Sequence, residues 1–189
     1  MTKARLETFT DGVIAILITI MVLELRVPHG IDWSALRPII PIFLTYLLSF
    51  VYLAIYWNNH HHMFHTVDHV NGKILWANMH LLFWLSIVPF VTGWMGENNF
   101  ATVPTAAYGI VMVMAAIAYT ILQQVIIEDQ GPHSKLKAAV GGDLKGKLSA
   151  ALYAIAIPLA FASRAAAGAI YVIVALIWLA PDRRIERSL

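Results

Sequence analysis

The grouping of the apolar residues constrains the fold of this chain most strongly. They form six blocks, and the charged residues lie mainly at the edges of the blocks. An apolar stretch of about 20 residues is long enough to cross a bilayer as a helix. The sequence therefore predicts an all-α, polytopic membrane protein, a single domain over residues 1–189 with six transmembrane helices at about 8–25, 38–64, 74–95, 104–127, 147–162 and 165–180.

Composition supports this class and excludes others. With 59% hydrophobic residues and a mean hydropathy of +0.70, the chain is too apolar for a soluble domain of its size. The net charge is only +2, and the basic residues are not clustered with exposed aromatics, so no nucleic-acid partner is expected. The absence of cysteine excludes disulfides and thiolate ligands. The first span carries Asp11 and lacks a small-residue cleavage site, so we expect it to remain in the mature protein.

The distribution of lysine and arginine predicts the orientation in the cell membrane. With the N-terminus in the cytoplasm, three of the 13 basic residues lie outside, namely Arg26, Arg37 and Arg164. The other ten lie inside: Lys3, Arg5, Lys73, Lys135, Lys137, Lys145, Lys147, Arg183, Arg184 and Arg187. This asymmetry follows the positive-inside rule and predicts that both termini are cytoplasmic.

The first span presents one face of branched aliphatic residues. On a helix with Ile16 at zero, Thr19 lies at about −60°, Ile20 at about +40° and Leu23 at about −20°. Asp11 points roughly 140° away from this stripe. The stripe is a candidate lining of a pore, with a single hydroxyl among aliphatic side chains. The alternative is that it faces lipid or a neighbouring helix, as such stripes usually do.

Asp11 is an ionisable group inside a membrane span, which costs about 2.5–3.5 kcal/mol on insertion scales. It either caps the helix near the cytoplasmic interface or pairs with donors from the second and third spans. Those donors are Trp57, Asn59, His60, His61 and Asn78. A further hypothesis makes Asp11 the proton relay of a small proton-coupled transporter.

Residues 57–69, WNNHHHMFHTVDH, contain five of the eight histidines. His61, His65 and His69 follow one another at intervals of four, so each neighbouring pair could chelate a metal from one helical face. A membrane metalloenzyme of the desaturase type would need several such clusters, and only His80 adds to this one within the membrane. We therefore expect no metal and no resident cofactor, and keep a histidine-cluster metalloprotein or enzyme as an alternative.

Residues 5–25, RLETFTDGVIAILITIMVLEL, resemble the signature Arg-x-x-x-Phe-Ser-Asp followed by an aliphatic helix. That signature belongs to the transmembrane protein 175 channels, which are the lysosomal potassium channels and their bacterial relatives. Thr10 replaces the serine and keeps the hydroxyl. Similar patterns continue in the second and third spans, at Trp57, His60-His61, Leu75-Trp76, Asn78 and the run SIVPF at 86–90.

The resemblance implies six-helix subunits that assemble as a homotetramer in a lipid bilayer and conduct monovalent cations. The first helices would line a central pathway, with Ile16, Thr19, Ile20 and Leu23 as lining residues and a hydrophobic gate. Such a protein is not an enzyme, and its selectivity for the permeant potassium ion is modest, since the chain has no TVGYG-like carbonyl filter. The resemblance also implies a hydrogen-bonded network of Arg5, Phe9, Thr10, Asp11, Trp57, His60 or His61, and Asn78.

Overall fold

The computed structural model describes residues 1–179, and within them it contains helices and no strand. The α-helices are α1 (Lys3–Val22), α2 (Ile40–His65), α3 (Gly72–Glu97), α4 (Thr102–Gln130), α5 (Lys135–Val140), α6 (Leu144–Ala162) and α7 (Arg164–Leu179). Two 3₁₀ segments, Trp33–Ile39 and Gly131–His133, precede α2 and α5. Ala180, at the end of the last predicted span, and Arg183, Arg184 and Arg187 of the orientation argument lie outside the described residues.

Several helices begin earlier than hydropathy predicts, because polar side chains cap their first turns. The Thr2 hydroxyl accepts a hydrogen bond from the Arg5 amide at 3.4 Å, ahead of α1. Asn71 caps α3 by accepting from the Ile74 amide at 2.9 Å. Asp143 caps α6 in the same way, and α5 lies between the fourth and fifth predicted spans. Hydropathy detects only the apolar part of each helix, so it misses these polar first turns.

Four helical segments are long and apolar enough to cross a membrane: Trp33–His65, Gly72–Glu97, Thr102–Gln130 and Leu144–Ala162. The predicted first and sixth spans differ from these four. Helix α1 carries Arg5, Glu7 and Asp11 within its first three turns, and α7 has only 16 residues. Length and composition alone therefore identify a multi-pass membrane protein with four such segments among residues 1–179.

The core lies between α2, α3, α4, α6 and α7, and it contains a cluster of buried tyrosines. Tyr52, Tyr108, Tyr153 and Tyr171 pack with ring centroids 5.3–6.5 Å apart. The Tyr52 hydroxyl donates to the Tyr171 carbonyl, and the Tyr171 hydroxyl donates to the Thr105 carbonyl at 3.0 Å. These bonds satisfy hydroxyls that would otherwise be costly to bury. Helix α1 packs against α2 and α3 and adds its buried residues to the same core.

Candidate functional site

Helix α1 has a buried face that docks it onto α2 and α3. The buried residues recur at intervals of three or four, as one face of a helix requires: Leu6, Thr10, Ile14, Leu17 and Met21. All but one are aliphatic or thioether side chains. The exception, Thr10, is completely buried and therefore needs a polar partner.

The opposite face of α1 carries the candidate lining residues, and nothing among residues 1–179 covers it. Ile16 is 57% exposed, Ile20 44% and Leu23 76%, and Thr19 is also exposed. Leu23 lies just beyond the helix, which ends at Val22 rather than at the predicted residue 25. The stripe is thus not packed against other helices in the part of the subunit that the structure describes.

The hydroxyl of Thr19 is oriented by its own helix. It donates to the carbonyl oxygens of Ile16, at 2.9 Å, and of Ala15, at 3.1 Å. A threonine hydroxyl has one hydrogen and two lone pairs. Because its hydrogen is used by the backbone, the oxygen remains an acceptor on the exposed face of α1.

A buried polar chain connects α1 to α3 and α2. The Asn78 side-chain amide donates from Nδ2 to Thr10 Oγ1 at 2.9 Å. Its oxygen, Oδ1, lies 2.9 Å from His60 Nε2. Because Oδ1 can only accept, His60 carries its proton on Nε2 and donates. The His60 ring also stacks on Phe64, with centroids 4.2 Å apart.

Asp11 has a different partner. Trp57 donates from Nε1 to Asp11 Oδ1 at 2.9 Å, so neither His60 nor His61 bonds to this carboxylate. The reason is position along α2. Trp57 lies one turn before His61, at the point where α2 meets α1, whereas His60 points into the subunit and is buried. His61 instead stacks beside Trp57 and bonds to His65.

The network implied by the resemblance is therefore two separate groups within one chain, Thr10–Asn78–His60 and Asp11–Trp57. Arg5 is exposed, and its side chain has no polar partner among residues 1–179. Phe9 is also exposed. On the helical wheel both lie within about 20° of Ile16 and roughly 100° or more from Thr10. This position on the exposed face keeps them away from the buried chain.

At the other end of α1, a polar contact that was not predicted links it to α3. Arg26 Nη2 lies 3.1 Å from Glu97 Oε1. Arg26 follows the first predicted span and Glu97 follows the third, so both were expected at the same membrane surface. Opposite charges at matching ends of two spans were the signal that could have identified this pair.

The histidine-rich stretch does not form a multi-ligand metal centre among residues 1–179. No group of three or more histidine and carboxylate side chains there converges on one point. His69 lies in the turn after α2, where its Nε2 is 3.1 Å from Asp129 Oδ2 of α4. His61 and His65 bond to each other directly, with 3.0 Å between their Nε2 atoms.

Long apolar helices packed around a hydrophobic core define a multi-pass α-helical membrane protein. Residues 5–89, which include the whole candidate site, match the sequence profile of the endosomal/lysosomal potassium channel TMEM175. The chain belongs to the TMEM175 family. It is 57% identical over 189 residues to a potassium channel of a Chryseobacterium species (strain P1-3), covering all of this chain and 98% of that one.

Two further comparisons agree. A potassium channel of Streptomyces collinus is 34% identical over 128 residues, which is 64% of this chain and 62% of that protein. The crystal structure of a lysosomal potassium-selective channel TMEM175 homologue from Chamaesiphon minutus superposes with a TM-score of 0.79. That superposition covers 95% of this chain and 97% of the other, at 26% identity.

Proposed function

We propose that this chain is the subunit of a homotetrameric, potassium-permeable cation channel of the cell membrane. In this proposal α1 and α7 cross the bilayer as well, which makes six spans, and both termini are cytoplasmic. The names of the relatives, all potassium channels, support the function. They do not favour the alternatives of a histidine-cluster metalloenzyme or a proton-coupled transporter using Asp11.

The observation that carries the proposal is the uncovered aliphatic face of α1. Its opposite face is held by a buried polar chain, so the orientation of α1 within the subunit is defined. Four copies arranged around an axis would bring Ile16 and Ile20 into rings. Hydrophobic constrictions of this kind gate channels by excluding water.

The charge pattern of α1 argues against lipid as the neighbour of this face. Arg5 is exposed and lies within about 20° of Ile16 on the helical wheel, whereas Asp11 points away from this face and accepts from Trp57. A charged side chain turned toward hydrocarbon costs about 2.5–3.5 kcal/mol on insertion scales, so such residues usually face protein or water. A central water-filled pathway satisfies this requirement at Arg5.

Selectivity in this proposal comes from dehydration rather than from a carbonyl filter. An ion must shed part of its water to pass a ring of isoleucines, and the larger potassium ion does so more easily than sodium. The acceptor oxygen of Thr19 replaces part of the lost hydration. Because only one hydroxyl per subunit is available in the stripe, the preference for potassium is modest.

Flux measurements in liposomes test the constriction. Ile16→Asn should raise potassium flux and reduce the preference for potassium over sodium, because a polar ring stays wet. Ile155→Asn is the matched control: Ile155 is 55% exposed, close to the 57% of Ile16, but lies on α6. If Ile16→Asn leaves both flux and selectivity unchanged, the constriction does not lie at this residue.

The oligomeric state provides an independent test. Mass measurement of the purified protein in detergent should give a particle of four 21.0 kDa subunits. A strictly monomeric particle that still conducts potassium would contradict a pathway shared by four first helices.

A further inference from the structure

The last turn of α2 holds a pair of exposed histidines that the channel proposal does not use. His61 and His65 are four residues apart on one helical face, with their rings perpendicular and their Nε2 atoms 3.0 Å apart. The apolar part of α2 ends at Trp57, and the helix continues through the polar residues 58–62. With 26 residues, α2 is about 39 Å long, longer than the roughly 30 Å hydrocarbon core. The pair therefore lies in the aqueous interface.

The spacing of these two nitrogens suits a divalent transition metal. Imidazole is a preferred ligand of nickel, copper and zinc, whereas magnesium and calcium prefer oxygen. With metal–nitrogen bonds of about 2.0–2.1 Å, two neighbouring ligands lie roughly 2.9 Å apart in square or octahedral geometry and roughly 3.3–3.4 Å apart in tetrahedral geometry. The observed separation needs little adjustment, and both rings are free to turn because they are exposed.

We propose that His61 and His65 bind one divalent transition-metal ion between them. Both imidazoles bind as neutral rings through Nε2, and the ring that donates in the His61–His65 bond moves its proton from Nε2 to Nδ1, so no net proton is released. Among residues 1–179 no third histidine or carboxylate joins the pair, so water completes the coordination. The site takes nickel, copper or zinc and discriminates against magnesium and calcium.

The site is connected to α1 through Trp57. The indole ring lies beside His61, with centroids 6.1 Å apart and planes inclined by 22°, and it donates to Asp11 of α1. An ion that clamps His61 to His65 restrains the ring next to Trp57. Through the Trp57–Asp11 bond it also restrains the helix proposed to line the pore. This second step depends on the proposed channel function, whereas metal binding does not.

Calorimetry with nickel chloride tests the binding. The protein is purified without a polyhistidine tag, and we expect one nickel ion per chain. Removing a group that only hydrogen-bonds to a metal ligand typically weakens binding about 10–100-fold. Removing a ligand itself, in His61→Ala or His65→Ala, should therefore weaken binding by at least about tenfold. His29→Ala is the matched control, because His29 is exposed but precedes α2. Absent binding in the unmodified chain, undiminished binding in the double variant, or equal loss in the control would overturn the site.

Potassium flux into liposomes tests the connection to α1. Nickel should reduce flux through the unmodified chain, and this reduction should be lost in His61→Ala. If nickel binds by calorimetry but leaves flux unchanged, the connection through Trp57 is wrong while the site stands. If the unmodified chain carries no potassium flux even without nickel, the channel proposal fails, and the calorimetric result still decides the metal site.

Discussion

The two faces of α1 differ in how their polar groups are satisfied. On the buried face, Thr10 is paired with an amide from α3, which is in turn paired with His60 of α2. On the exposed face, the hydroxyl of Thr19 bonds only to the carbonyls of its own helix. The buried face is therefore bonded to other helices, whereas Thr19 on the exposed face makes no hydrogen bond to another helix among residues 1–179.

This difference shows how a mainly apolar helix acquires an orientation. Aliphatic packing alone would tolerate several rotations of α1 against α2 and α3, since the lipid is as apolar as the neighbouring helices. The buried hydroxyl of Thr10 allows only one rotation of α1, because any other rotation would separate it from its partner. A buried polar group without a partner costs free energy. Thr10 and Asn78 thereby determine that Ile16 and Ile20 point away from the subunit.

Removing the amide at the centre of the buried chain should have the largest effect. Asn78→Leu leaves Thr10 and His60 without their partner, which costs about 1–3 kcal/mol for each group. The free energy of unfolding should therefore fall by about 2–6 kcal/mol. Unfolding in SDS titrations of mixed micelles measures this. Asn98→Leu, at an exposed asparagine that bonds within its own helix end, should change stability by less than about 0.5 kcal/mol. Equal effects of the two substitutions would mean that the buried chain does not orient α1.

Truncating one residue from each face compares the faces directly. Leu17→Ala removes a buried side chain and should cost about 2–5 kcal/mol of subunit stability in the same titration. Ile20→Ala should change subunit stability by no more than about 0.5 kcal/mol, but it should change potassium flux. A loss of stability in Ile20→Ala as large as that in Leu17→Ala would show that the exposed face is packed, and the contrast between the faces would disappear.

The smallest effect is expected at the edge between the two faces. Trp57→Phe keeps a ring beside His61 but removes the donor to Asp11, a hydrogen bond worth about 0.5–1.5 kcal/mol. The partly exposed carboxylate can turn to water, which limits the loss. Trp76→Phe is the control, since that indole is exposed and has no hydrogen-bond partner among residues 1–179. If the midpoint of unfolding in the SDS titration is the same for Trp57→Phe as for the unmodified chain, this hydrogen bond adds nothing to the docking of α1.

Neighbouring histidines illustrate what could not be predicted from the sequence. His60 and His61 are adjacent and were equal candidates to bond with Asp11. His60 is buried against Asn78 and Phe64. His61 is exposed and lies beside Trp57 and His65. Successive residues on a helix point about 100° apart, so a single rotation of α2 decides which of them enters the core. Periodicity within α2 contains no information about that rotation.

By itself, the sequence determined the class of the protein and which residues share the aliphatic stripe of α1. Long apolar blocks with few charges require membrane helices, because unpaired backbone groups are not tolerated in hydrocarbon. The spacing of Ile16, Thr19, Ile20 and Leu23 requires that they share one side of α1. Only the tertiary structure decided that this side is uncovered, that Asp11 bonds to Trp57, and that Arg5 stands apart from the buried chain. These outcomes depend on how α1, α2 and α3 are rotated against one another, and contacts between distant parts of the chain set that rotation.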